Sequence, residues 1–242
     1  MRRRELMRTL MLGLGGWGLF RPGLAGAGGA PRPVRAVDAC WVTPDEDEGP
    51  YYLDSMPERS DIRESRDGVP LTLLMSVIDS ECRPAAGVMV DVWQCDKDGV
   101  YSGITLPGHD PQLGQTFLRG TQTTDDQGRV QFLSIYPGWY TNRATHVHFK
   151  ARTPATLYKT SQFCFPEDVS AAVYASPLYV RRGANPTSNT RDGVFGSPAP
   201  QYLTLALTGD PASGYTGTIT IGLDAATGTG RDTWGRLKTH YR

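Results

Sequence analysis

No apolar run in this 242-residue chain approaches the length needed to cross a bilayer, so the mature chain has no membrane-spanning helix on hydropathy grounds. There is no Cys-x-x-Cys pair among its four cysteines, which removes the usual basis for a cysteine-held metal. Histidine is scarce, with four residues in all. No internal repeat is visible, and neither sign of charge is in excess, with 25 basic and 25 acidic residues. That balance hides an asymmetry. Residues 1–30 hold five arginines against one glutamate, which leaves 20 basic and 24 acidic residues after them and a formal charge of −4. A surface of that charge argues against nucleic acid as a partner, because phosphate binding needs concentrated basic groups. What remains is ordinary globular composition, 39% hydrophobic and 21% charged, at a length that suits one all-β domain.

Residues 1–30 have the layout of an export signal. A basic start is followed by the short Leu-, Met- and Gly-rich stretch Thr9–Phe20 and by Ala25-Gly26-Ala27 as a small-residue cleavage site. Arg3-Arg4-Glu5-Leu6-Met7-Arg8 resembles a twin-arginine signal, with a general secretory signal as the alternative. The expected location is therefore outside the cytoplasm. In an oxidising compartment the four cysteines, Cys40, Cys82, Cys95 and Cys164, favour disulfides, and the pairing is open.

The expected domain runs from 31 to 242, and its first part, 31–70, reads as an extended arm without helical periodicity. From Leu71 the texture is that of short strands: Leu71–Ile78, Val88–Gln94, Arg129–Ile135, Thr145–Ala151, Tyr202–Leu207 and Thr216–Leu223 are β-branched or alternating segments. Asp125-Asp126-Gln127-Gly128 carries a hairpin signal, and Pro166–Tyr174 is a helix candidate with acids in its first turn. The expected fold is a β-sandwich of mostly antiparallel strands with long loops, including 181–200.

Chemistry concentrates around His146-Val147-His148. Residues i and i+2 of a strand share a face, so two imidazoles can serve one metal ion. Tyr140 follows the turn-like Pro137-Gly138 and offers a phenol oxygen six residues upstream. A His-x-His strand on its own is more often a surface or core feature than a ligand pair. His109, His240 and the Asp125-Asp126 pair read as loop, terminus and turn; Trp93 reads as core, and Trp139 is a candidate pocket wall.

Order and context sharpen the reading. Val90-Asp91-Val92-Trp93-Gln94-Cys95-Asp96 leads to Gly99-Val100-Tyr101; Thr124-Asp125, Gly128 and Phe132 follow, then Pro137-Gly138-Trp139-Tyr140 and Arg143-Ala144-Thr145-His146-Val147-His148. This succession resembles the intradiol ring-cleavage dioxygenases, non-haem iron enzymes that open catechols between their two hydroxyls, over about residues 45–165. The resemblance implies Fe(III) held by Tyr101, Tyr140, His146 and His148, with Tyr140 as the ligand that a catechol displaces. It implies that Arg143 stabilises charge on the substrate ring and that Gln162 stands near the pocket. Its substrates would be a small-molecule catechol and O2, its product a cis,cis-muconate-type diacid. The chemistry is consistent, since phenols lose a proton only near pH 10 unless a strongly polarising cation binds them. Two departures stand out. Only five residues separate Tyr140 from His146, and 31–70 lacks the helical pattern that builds dimers in catechol-cleaving members. Two rival readings are a non-catalytic transthyretin-like β-sandwich binding module and a cupin-like or copper oxidase barrel, which would need a further His or Glu ligand.

Overall fold

The computed structural model describes residues 41–195 and 200–224; the export signal, Cys40 and His240 lie outside the described residues. Eight strands form two four-stranded sheets. One sheet has the order β3 (Arg119–Thr123), β2 (Met89–Trp93), β5 (His146–Arg152), β6 (Leu157–Cys164), all antiparallel. The other has the order β4 (Arg129–Ile135), β1 (Pro70–Ile78), β8 (Gly214–Gly222), β7 (Ala206–Asp210), in which β1 and β8 run parallel. Among the described residues two short helices accompany the strands, α1 (Glu167–Tyr174) and α2 (Pro200–Leu203). The all-β sandwich expected from the sequence is the fold observed.

The core follows from strand alternation. Leu71, Leu73, Met75 and Val77 stand on one face of β1 and are all buried. They share one apolar cluster with Val90 and Val92 of β2, Phe132 of β4, and Val147 and Phe149 of β5. Burying side chains of this size contributes about 1.5–3 kcal/mol each, which makes the cluster the main source of stability.

Three local expectations are corrected. The Asp125–Gly128 turn exists, with Gly128 at φ +69° and its N–H donating to Asp125 O, yet it does not close a hairpin. It carries the chain from β3 in one sheet to β4 in the other. Tyr202–Leu207 is not one strand either. α2 ends at Leu203, Thr204 bridges to Cys164 beside β6, and the chain enters β7 of the opposite sheet at Ala206. Strands β3 and β6 were not expected, because their buried faces are polar: Thr121, Lys159, Ser161 and Gln162 are all buried.

The reason for those polar faces is the arm. Its described part, 41–69, holds no helix and straps the sandwich: Thr43 N–H donates to Gly222 O, Glu46 N–H to Thr160 O, and Ile62 N–H to Leu133 O. Lys159 on β6 pairs with Asp45 at 2.9 Å. Cys95 and Cys164 are buried thiols, and Cys82 is disulfide-bonded.

Candidate metal centre and substrate pocket

Val147 is buried in the sandwich core, so His146 and His148 on either side of it project from the outer face of their sheet. Trp93 sits opposite His148 in register, and the two rings stack at 4.8 Å and 9°. Trp93, Cys95 and Tyr101 form a separate buried cluster there, with Tyr51, Tyr52 and Tyr140 packed on it. The site therefore has its own small core, roofed by the arm.

Four donor atoms converge. His146 Nε2 lies 3.3 Å from the Tyr101 hydroxyl, 3.1 Å from the Tyr140 hydroxyl and 3.2 Å from His148 Nε2. His148 Nε2 is in turn 3.2 Å from the Tyr101 hydroxyl. Donors about 2.0–2.1 Å from a common ion stand about 2.8–3.4 Å from one another, for bond angles between square and tetrahedral. The observed spacings lie within that range. His146 Nδ1 is 2.6 Å from Ala144 O and donates to it, which leaves the Nε2 lone pair facing the cluster.

The electrostatics favour neutral imidazoles. Burial, then the nearby Arg143 guanidinium, lowers His146 to about 3. Burial, with His146 and Arg143 beside it, holds His148 well below its ordinary value. Burial and the neighbouring Tyr140 push Tyr101 well above the usual phenol range. Burial raises Tyr140 to about 12, although Arg143 pulls the other way. In the protein alone both phenols keep their protons, so ionising them needs a cation within the cluster. Among the described residues no three His, Cys, Asp or Glu side chains are arranged to hold a metal. A metal bound here takes the phenols as donors. That set fits ferric iron, whose charge two phenolates would largely offset, and it lacks the third His or Glu that a cupin-like or copper barrel requires.

Behind the donors stands a polar relay. Arg143 donates through Nη1 to the Tyr140 hydroxyl at 3.3 Å, through Nη2 to Gln162 Oε1 at 2.5 Å and through Nε to Asp192 Oδ2 at 2.9 Å. Asp192 is buried and also accepts from the Ala144 and Val194 N–H groups. Gln162 Nε2 donates to Asp47 O of the arm at 2.5 Å. Gln162 thus faces Arg143 and the arm and does not line the cavity, while Arg143 is fixed from three sides.

The arm closes the remaining side. Gly49 adopts φ +71°, and a Cβ there would lie 3.2 Å from His148 Cε1, so only glycine allows this approach. The Tyr51 ring packs 4.7 Å from that of Tyr101, and Arg119 Nη1 donates to Tyr51 O at 2.7 Å. Tyr52 donates to Asp91 Oδ2 at 2.9 Å. The half-buried Lys150–Glu48 ion pair also ties the arm down beside the packed aromatic rings. A cavity of about 350 Å³ opens over Tyr101 and Tyr140, walled by Tyr51, Leu106 and Arg182, with His109 on its lining. His109 is exposed, as the sequence suggests. Trp139 stands behind the wall, its Nε1–H donating to Gly183 O at 3.0 Å.

All four expected metal donors and Arg143 come together. Sequence reasoning missed Gly49, Tyr51, Arg119, Arg182 and Asp192. Two signals pointed toward them, the compact Glu48-Gly49-Pro50-Tyr51-Tyr52 run in a polar segment and the long 181–200 loop that holds Arg182 and Asp192.

Fold and site together define a β-sandwich protein with a two-imidazole, two-phenol donor cluster beside an open pocket. A family model described as Dioxygenase matches residues 47–182. The chain is 30% identical over 139 residues to a chlorocatechol 1,2-dioxygenase of Pseudomonas sp. (strain P51), covering 49% of this chain and 53% of the relative. It thus spans about half the length of the curated relatives it matches. An intradiol ring-cleavage dioxygenase from Tetranychus urticae superposes with a TM-score of 0.71 at 28% identity, over 76% of this chain and 95% of that one. The dioxygenase domain of a carbohydrate-binding fusion protein from Streptomyces sp. SirexAA-E gives a TM-score of 0.57 at 31% identity, over 76% and 99%. The chain belongs to the intradiol ring-cleavage dioxygenase family.

Proposed function

We propose that the protein is an Fe(III)-dependent intradiol dioxygenase that cleaves a catechol-type substrate with O2 to a cis,cis-muconate-type diacid. The observation that carries this reading is the convergence of the Tyr101, Tyr140 and His148 donor atoms on His146 Nε2 at 3.1–3.3 Å, with Tyr101 and His148 themselves 3.2 Å apart. The same convergence disfavours a binding module that has lost its chemistry.

When bound, ferric iron would hold both catechol oxygens and withdraw electron density from the ring. The chain's own groups do the rest. His146 and His148 supply neutral nitrogens and take no proton near neutral pH. Tyr101 and Tyr140 would supply the anionic oxygens; the exposure of Tyr140 to the cavity and its bond from Arg143 support assigning it as the one that leaves the cluster and receives a catechol proton on its oxygen. Arg143, fixed by Asp192 and Gln162, keeps a positive charge beside the substrate ring, where it stabilises negative charge that develops on carbon and oxygen. The Tyr51 ring and the arm exclude water from the far side.

The decisive experiment loads the protein with iron and measures oxygen uptake over a panel of catechol, protocatechuate, hydroxyquinol and alkyl- or chloro-catechols, with product spectra. Muconate-type spectra support the proposal; yellow semialdehydes, or a colourless protein inactive after iron loading, defeat it. We also propose export of the mature protein, guided by Arg3-Arg4 and the Ala25-Gly26-Ala27 site. The N-terminal sequence of periplasmic or secreted material checks this, and an intact Met1 terminus overturns it.

A further inference from the structure

We propose that Arg182 makes this pocket selective for catechols that carry an anionic substituent, a carboxylate above all. This inference rests on the catechol-cleaving reading above and adds the substrate class.

Among the described residues, the cavity over Tyr101 and Tyr140 has one cationic side chain on its wall, Arg182, and no carboxylate on its lining. Among the described residues Arg182 makes no ion pair, although most arginines near the site do: Arg66 pairs with Asp96, Arg143 with Asp192 and Arg152 with Asp91. Its guanidinium is nevertheless held in place. Nε donates to Trp139 O at 2.7 Å, and the group lies over the Trp139 ring at 4.6 Å from its centroid. Gly99 makes room for it, since a Cβ there would meet Nη2 at 2.9 Å and Trp139 O at 2.5 Å. The bond through Nε leaves the terminal nitrogens without a carboxylate, and a planar fork of this kind matches a carboxylate with two parallel hydrogen bonds.

Position and size agree. Trp139 precedes the donor Tyr140, so the cation is anchored to the backbone next to the reacting centre. The cavity of about 350 Å³ falls in the range that holds molecules larger than one aromatic ring, which leaves space between a bound catechol and the wall. Leu106 and Pro107 give that space apolar sides, and the exposed His109 adds a polar ring on the same lining. A ring seated at the donor cluster thus points a substituent toward a fixed positive charge.

The test uses the full-length protein with two readouts. In the first, kcat/KM is measured on iron-loaded protein for 3,4-dihydroxybenzoate and for uncharged 4-methylcatechol, in wild type, R182Q and R182K. The expected result is that the ratio of the two values falls about tenfold in R182Q and recovers partly in R182K. In the second, titration calorimetry compares 4-hydroxybenzoate with 4-hydroxybenzyl alcohol, neither of which is a catechol. The acid binds more tightly than the alcohol, by about tenfold, and the difference shrinks in R182Q and at high salt. An equal fall of both kcat/KM values in R182Q would show that Arg182 only supports Trp139, and would overturn the proposal. If neither catechol is cleaved, the catalytic reading fails, and the calorimetry still decides: equal binding of acid and alcohol overturns the inference, and a preference lost in R182Q upholds it.

Discussion

Single side chains divide sharply in how legible they were. His146 and His148 stand two residues apart, a step whose geometry a strand fixes, and Tyr140 lies close by; Tyr101 and Arg143 were legible only through the family resemblance of their motifs. Asp192 was not legible, because it comes from a loop some fifty residues downstream, and only folding places its carboxylate at 2.9 Å from Arg143 Nε. This distinction can be measured. Arg143→Gln removes the charge beside the substrate and should lower kcat by about 10²–10³-fold. Asp192→Asn leaves the charge and loosens its aim; we expect a smaller loss, about tenfold to a hundredfold, with iron content unchanged by metal analysis. Tyr140→Phe should retain iron more weakly and lose part of the visible tyrosinate absorption, and the Tyr101→Phe spectrum shows whether each phenol contributes its own share. An unchanged visible spectrum in both would exclude them as ligands.

At the level of elements, β-branched and apolar runs revealed strands, β2 and β5 included although both their faces are buried, and concealed β3 and β6, whose buried side chains are largely polar. β6 reads as polar because Lys159 and Ser161 stand on one of its faces and Gln162 on the other, all buried; the arm receives Lys159 at Asp45 and Gln162 at the Asp47 carbonyl. The two misread connections share a cause: Asp125–Gly128 and Thr204–Leu205 both pass from one sheet to the other, and local turn chemistry does not say which sheet comes next. The arm was legible as extended, and its role as the roof of the site was not. Gly49 offers a test of that role. Gly49→Ala adds strain at φ +71° of about 1–2 kcal/mol and a methyl at 3.2 Å from His148 Cε1. A thermal melt should register a loss of a few degrees, and iron affinity should fall at the same time. A variant with wild-type iron affinity would show that the arm is packing alone.

For the molecule as a whole, acid sensitivity should follow the buried carboxylates. Asp79 is buried, which by itself would raise its carboxyl; bonds from Arg83 and from the Glu81 and Arg83 N–H groups outweigh that and lower it. A carboxyl lowered in the folded state binds fewer protons than in the unfolded chain. Its contribution is complete above the ordinary aspartate value near about pH 4 and disappears as pH falls through the lowered folded value. Asp79→Asn should therefore be less stable than wild type at neutral pH, with the gap closing below about pH 4 in denaturant titrations. A gap that persists at low pH would assign the effect to lost backbone hydrogen bonds instead.

The parallel pairing of β1 with β8 sets a timetable. Leu71 is in register with Tyr215, so the second sheet cannot close until the chain beyond residue 215 has been made. At roughly 5–20 residues per second, β1 waits on the order of ten seconds after it emerges, with a long unpaired edge. The sheet that carries the donors is different: β2, β3, β5 and β6 all come from residues 89–164 and can find one another earlier. A ribosome-bound chain would thus possess its two histidines in a nearly complete sheet, with Tyr101 and Tyr140 already made in the loops beside it, before the sandwich that protects them exists. During that interval the nascent protein is open both to premature metal capture and to edge-to-edge association, and a chaperone that shields β1 would guard against both.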